Sequence, residues 1–334
     1  MKTIQTYLAW LCAIFFVLTG VTAILLFNIE RRAFAAETYK QAFEKQGLYV
    51  RMPTILAEAL HTSFMQDANT DPFLKVLTMD EWEVGLAKLL PPEDLKLLTN
   101  NSLDSLFAYL NNQSDTVSVS LAPLKIRLAG PEGTEVVKQV IDAQPDCTVD
   151  QLLQMGAGLI NGEISLCKPP EEMMGLLAPM LESQLQTISA SIPDSLTLLA
   201  NNNSQADYRV RLNRIRTIMK LTVTLPIFLL AMLTLLAVRS LSDWFKWWGY
   251  SFLVTGVLSL VFALIGSPVL RFVMQNVMQR QAVNFLPPVL IPLLAETVGG
   301  AAGQILYPVV IQGAILGVIG FGMVIFAIIL RNRR

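Results

Sequence analysis

The feature that most limits what this chain can become is a run of 27 residues, 3–29, without one charged side chain. Roughly 20 apolar residues suffice to carry a helix across the hydrocarbon core of a bilayer. Two further runs, 221–238 and 247–270, are equally free of charge. A fourth, from about 307 to 330, stops at Arg331-Asn332-Arg333-Arg334. Only 15% of the 334 residues are charged, against about 25% in soluble domains. Lipid offers the backbone no hydrogen bonds, so apolar runs of this length cross as helices. The chain is therefore read as four transmembrane helices, over 3–29, 217–239, 247–270 and 305–330.

Lys2 precedes the first run and Glu30, Arg31 and Arg32 follow it. Ala33-Phe34-Ala35 matches a signal-peptidase pattern, but the apolar run exceeds the roughly 7–15 residues of a signal-peptide core. The run is read as an uncleaved signal anchor. The third run opens on Trp247, Trp248 and Tyr250, the amphipathic rings that favour a membrane interface. Segment 271–304 is neither a plain loop nor a plain span. Pro287, Pro288 and Pro292 would interrupt a helix, yet 285–295 is almost wholly apolar. It is read as an interfacial or re-entrant segment covered by other protein.

Residues 30–216 are polar and pattern mainly as helices. Thr78-x-x-Glu81 and Thr148-x-x-Gln151 are capping boxes. Pro53, Pro92, Pro131 and the pair Pro169-Pro170 stand where helices begin. Leu95, Leu98, Leu103, Leu106, Phe107 and Leu110 recur at helical spacing. Only 116–121 (TVSVSL) alternates as a strand; Pro193–Ser195 and 201–204 read as loops. Helical patterning continues from the first span into this region, and from 208–220 into the second. The fold class is thus mostly α: four transmembrane helices and a mainly helical extramembrane domain inserted between the first and second.

Charge is divided unevenly. Residues 28–216 hold 24 acids and 16 bases, whereas the remainder holds 2 acids and 9 bases. An acidic domain does not suit nucleic acid as a partner. Membrane lipids and a protein partner, or a second copy of the chain, are the partners this arrangement suits. Four spans put both termini on one side. A raw count of basic residues would leave the large domain with the cytoplasm, but long domains cross largely regardless of charge.

Two of the three cysteines decide the matter differently. Cys147 and Cys167 flank a short unit, each near a proline. They read either as two unrelated thiols or as a structural disulfide, which requires an oxidising compartment. The disulfide is the reading adopted, and it places the domain outside the cytoplasm with both termini inside. Cys12, within the first run, reads as a packing residue.

Trp82, Leu89-Leu90-Pro91-Pro92-Glu93, Leu103-Asp104, Phe107-Ala108-Tyr109-Leu110, Leu121-Ala122-Pro123-Leu124-Lys125, Cys147 and Cys167-Lys168-Pro169-Pro170 together resemble a group of uncharacterised bacterial four-span membrane proteins with a helical extracytoplasmic domain. The resemblance covers most of the polar region and the four-span layout. It implies a bacterial cell-membrane setting and carries no activity or catalytic residues.

Residues for chemistry are sparse. His61 is the only histidine, which leaves no Ser–His–Asp or Cys–His triad to assemble. The densest acids, Asp80-Glu81-x-Glu83 and Glu171-Glu172, lie in helix first turns where the helix dipole accounts for them. Gly299-Gly300-Ala301-Ala302-Gly303 lacks the Lys-Ser/Thr of a phosphate loop. No catalytic, cofactor or metal site is expected.

Two features keep functional weight. Arg31, Arg32, Arg209, Arg211, Arg214 and Arg216 form a basic collar at one membrane face. They read either as snorkelling helix ends or as a lipid-headgroup or anionic-polymer site. Glu296 reads either as a solvated helix cap or as an intramembrane acid in a pathway. Gly313, Gly317, Gly320 and Gly322 have small-residue spacing for close helix packing, within the chain or between copies. The function expected is non-enzymatic: a partner-binding, structural or envelope-sensing protein acting through its outer domain. The alternative is a transport or lipid-handling component using 281–304.

Overall fold

The computed structural model describes residues 2–66, 70, 72–151, 167–200, 208–281 and 290–332. The chain is mostly helical. Helix α1 spans Lys2–Ala33; α2 is Ala36–Lys45, α3 Leu48–Gln66, α4 Pro72–Lys75, α5 Met79–Leu89 and α6 Pro92–Leu110. Strand β1 (Thr116–Ser120) is followed by α7 (Ala122–Ala129), α8 (Pro131–Asp142), α9 (Glu171–Ser191) and β2 (Ser195–Ala200). The chain closes with α10 (Tyr208–Leu221), α11 (Thr224–Ala237), α12 (Leu241–Gln281) and α13 (Leu290–Asn332). Four stretches are long and apolar enough to cross a membrane: Ile4–Ala33, Tyr208–Ala237, Leu241–Val273 and Ala295–Asn332. This is the architecture of a multi-pass membrane protein.

Helices α12 and α13 have 41 and 43 residues. At 1.5 Å per residue each is roughly 60–65 Å long, about twice the hydrocarbon thickness. The segment 271–304 is thus, where described, the ends of two long helices: 271–281 closes α12 and 290–304 opens α13. Pro287 and Pro288 lie outside the described residues. Pro292 falls in the first turn of α13, where backbone N–H groups have no helical partner to lose.

The two long helices run antiparallel with their backbones in contact through glycine. A Cβ added to Gly256 would stand 2.6 Å from the Gly313 carbonyl oxygen, and one on Gly313 2.9 Å from that of Gly256. A Cβ on Gly320 would stand 2.8 Å from the Gly249 oxygen. The backbone of Gly317 also lies against Gly256, whereas a Cβ on Gly322 would meet open space. The small-residue spacing is therefore used inside this chain, and it lets dispersion act over a long seam. Helix α1 packs on α11 through Ala9, Cys12 and Ala13 against Leu233. It meets α12 through ring pairs Trp10–Trp247 and Phe16–Phe252. Cys12 is a buried free thiol in this packing.

In the polar part the Thr78 capping box forms, with the Glu81 N–H donating to the Thr78 hydroxyl and the Thr78 N–H to the Glu81 carboxylate. The Thr148–Gln151 pair makes the same reciprocal bonds. Strand β1 has an antiparallel partner, β2, with a bulge at Val117/Ser118. Sequence reading places Ser195 in a loop and leaves 196–200 unassigned. The residues of β2, SLTLLA, include one β-branched side chain and no clean alternation, so local pattern carries little strand signal. The helical patterning into both spans is interrupted. Between α1 and α2, Ala35 is extended (φ −115°, ψ 124°), and the Tyr39 hydroxyl donates to the Ala33 carbonyl at 3.0 Å. Between α10 and α11, Thr222 and Thr224 donate to the carbonyls of Met219 and Leu221. Local hydroxyls thus occupy carbonyls near each break.

Cys147 and Cys167 stand at disulfide distance, their Cα atoms 5.0 Å apart. The two strands of chain are also held by backbone bonds, Cys147 N–H to Lys168 O at 3.0 Å and Lys168 N–H to Pro145 O at 2.9 Å. Cys167 is fully buried and packs on Leu177.

Two outcomes test this packing. Gly256→Leu should lower the stability of the detergent-solubilised protein by at least about 2 kcal/mol, because neither backbone can retreat, while Gly322→Leu stays within about 0.5 kcal/mol. Both are read by thermal unfolding. Replacing Cys147 and Cys167 by Ser should cost about 3 kcal/mol, the effect of opening a loop of this length, and reductant should lower the wild-type melting temperature in the same way.

Candidate functional site

The polar side chains with the most connections gather where α1, α6, α10 and α13 meet. Glu30 closes the last turn of α1 and is only 7% exposed. Arg216, five residues before the end of α10, donates to the Glu30 Oε1 from Nε at 3.2 Å and Nη2 at 3.0 Å. Lys220, one turn further, adds a second cation to the same oxygen at 3.4 Å. The third guanidinium nitrogen of Arg216 donates to Asn111 Oδ1, at the C-terminus of α6. The guanidinium plane lies over the Phe34 ring, 4.8 Å from its centre. Arg216 thus joins the end of the first apolar helix, the approach to the second and the polar helices, using the fixed fork geometry that lysine lacks.

Two residues before Glu30, Asn28 donates to Gln312 Oε1 of α13 at 2.8 Å and to its own Ile24 carbonyl at 2.8 Å. Both are amides inside apolar helices, where leaving either unpaired would cost free energy. On the polar side, Arg209 donates to the Ser114 carbonyl at 3.1 Å and to Asp115 Oδ1 at 3.3 Å. It also stacks over Tyr109, 4.7 Å from its centre. On the remaining side, Arg51 of α3 pairs with Glu296 of α13 at 3.1 Å. Gln46 donates to the Glu296 carbonyl at 3.0 Å. Gly300 admits that contact, since a Cβ there would overlap the Gln46 amide.

Burial pushes Tyr39 above the ordinary tyrosine range, and burial together with the Glu44 carboxylate does the same for Tyr49. Tyr39 stacks on Phe107 with centroids 5.1 Å apart, and the Tyr49 hydroxyl donates to Asn100 at 3.2 Å.

The expected collar therefore divides. Arg209 and Arg216 turn inward onto protein carboxylates and rings. Arg31, Arg32, Arg211 and Arg214 are exposed. Glu296 is 38% exposed and ion-paired with Arg51. His61 is half-buried on α3. Sequence reading missed Glu30, Lys220, Asn28, Gln312, Asn111 and Arg51 as members of this junction. The available signal was Asn28 and Gln312, two amides within otherwise apolar stretches, and Glu30, a single acid followed directly by two arginines. Among the described residues, no three His, Cys, Asp or Glu side chains converge as a metal site would require. Chemically, the junction is a set of charge-assisted and amide hydrogen bonds suited to holding helices in register.

No family model matches this chain, and no curated protein or solved structure is significantly similar to it. The junction itself is testable. Glu30→Gln leaves Arg216 and Lys220 without their carboxylate and should cost about 3 kcal/mol, the lower end for a buried pair broken from one side. Arg216→Lys should cost less than Glu30→Gln, because a cation remains while the fork to Asn111 is lost. Arg211→Gln and Arg214→Gln should leave thermal unfolding unchanged within about 0.5 kcal/mol.

Proposed function

We propose that this is a non-enzymatic membrane protein whose helical 30–216 region lies outside the cytoplasm of a bacterial cell. There it binds a protein partner or senses the state of the envelope. The region's condition passes to the four apolar helices through the Glu30–Arg216 junction, with both termini in the cytoplasm and the first helix kept as a signal anchor. The observation that carries this reading is the Glu30–Arg216–Asn111 connection. One arginine ties α1, α10 and α6, so a shift of the polar helices cannot occur without moving both membrane approaches. The paired cysteines support an oxidising compartment. Segment 290–304, packed by Glu296 and Gly300 on α2 and α3, supports coupling over a role for 281–304 in transport or lipid handling.

Two measurements test it. Isolation of the protein from its native membrane under mild detergent should recover a stoichiometric partner or a homo-oligomer, and a strict monomer alone would count against the proposal. In intact cells, an impermeant maleimide should label Cys147 and Cys167 only after reduction. Thiols free and reachable only from the cytoplasm would reverse the topology.

A further inference from the structure

The opposite end of the bundle carries a different feature. The first halves of α1 and α12 run side by side and leave a groove of about 530 Å³ between them. That volume is typical of a site for one small ligand. Its walls are almost wholly apolar. Trp10, Ile14 and Val17 line one side, and Trp247, Tyr250 and Val254 the other. The groove begins at Thr6 and Lys246 and ends at Leu18 and Leu258. The helix between these ends spans roughly 18 Å on each wall, close to the ~15 Å depth of one leaflet's hydrocarbon.

The mouth is cationic. Lys246 is exposed at the groove's end. Arg239 lies in the adjoining cavity, donating to Gln5 Oε1 at 2.6 Å. Arg331 belongs to the same end, since the Ser242 hydroxyl bonds the Ala327 carbonyl one turn before it. The acid present, Asp243, accepts a bond from the Ser240 hydroxyl at 2.8 Å in the cap of α12. Among the described residues, Lys246 borders the groove, Arg239 and Asp243 line the adjoining cavity, and Arg331 belongs to the same end of the bundle.

We propose that this groove is a binding site for one acyl chain of an anionic phospholipid, with the headgroup held by Lys246. The depth favours a lipid over a second copy of the chain. A crossing helix would need a seam through both leaflets and small residues for close approach. This groove ends after about one leaflet, and the small side chains in it, Ala13 and Ser251, are flanked by Trp10, Trp247 and Tyr250.

The test uses the full chain with Trp82, Trp244 and Trp248 replaced by Phe, so that Trp10 and Trp247 report. The protein is reconstituted in phosphatidylcholine vesicles containing brominated phosphatidylglycerol or, at equal content, brominated phosphatidylcholine. The anionic lipid should quench with an affinity roughly fivefold higher, the effect of one basic residue at a charged surface. Lys246→Gln, an exposed change, should abolish that preference, and Val254→Phe should reduce quenching by both lipids. Equal quenching by the two lipids in the parent protein would overturn the proposal, as would a preference that survives Lys246→Gln. So would disulfide-linked dimers formed through Ile14→Cys in a Cys12→Ala background, since a second copy would then occupy the groove.

Discussion

A buried carboxylate at the end of a membrane helix must find a cation, and in this chain much of the arrangement follows from how Glu30 does so. Its partners come from α10, the helix that leads into the second apolar stretch, 186 residues away in sequence. Desolvating two charges costs more than their attraction returns unless further bonds complete the site. Here Asn111, Phe34 and Lys220 complete it. The consequence is a fixed register between α1 and α10, and through Asn111 a fixed position for α6. The Asn28–Gln312 bond extends the same register to α13.

The second constraint is steric. Helices α12 and α13 approach so closely along Gly249, Gly256, Gly313 and Gly320 that neither can slide without meeting a side chain. Because this hairpin is about twice as long as a bilayer core is thick, its far end reaches α2 and α3, where Gln46 and Arg51 hold the Glu296 turn. The polar helices are thereby attached to the apolar ones at two separate places, the Arg216 fork and the Glu296 turn. That double attachment is what supports the proposed transmission from the polar region to the bundle.

The apolar helices were legible in the sequence because spanning lipid demands long uncharged runs, and the capping boxes at Thr78 and Thr148 because their chemistry is local. The pairing of Cys147 with Cys167 was legible because so few cysteines compete. What escaped depends on distant neighbours. Strand β2 exists because β1 lies beside it, and nothing in SLTLLA alone asks for that conformation. The length of α12 and α13 was obscured by prolines, which signal a break even where one sits harmlessly in a first turn. Arg209 and Arg216 resembled lipid-facing snorkels, since sequence cannot distinguish an arginine turned outward from one turned onto Asp115 or Glu30. Glu30 itself sat unremarked among its basic neighbours.

An acidic helical region is thus joined by basic side chains to a glycine-seamed bundle, with an apolar groove bordered by Lys246 at the far end. In the proposed coupling the Glu30 junction, and not the Glu296 turn alone, makes the polar region and the bundle move as one body. Pulsed electron–electron spin-resonance between labels at Ile126→Cys on α7 and Val318→Cys on α13, both highly exposed, tests this directly in a Cys12→Ala background. A single narrow distance distribution that broadens when Glu30→Gln is added is the predicted result. A broad distribution with the junction intact, or a narrow one indifferent to Glu30→Gln, would contradict it.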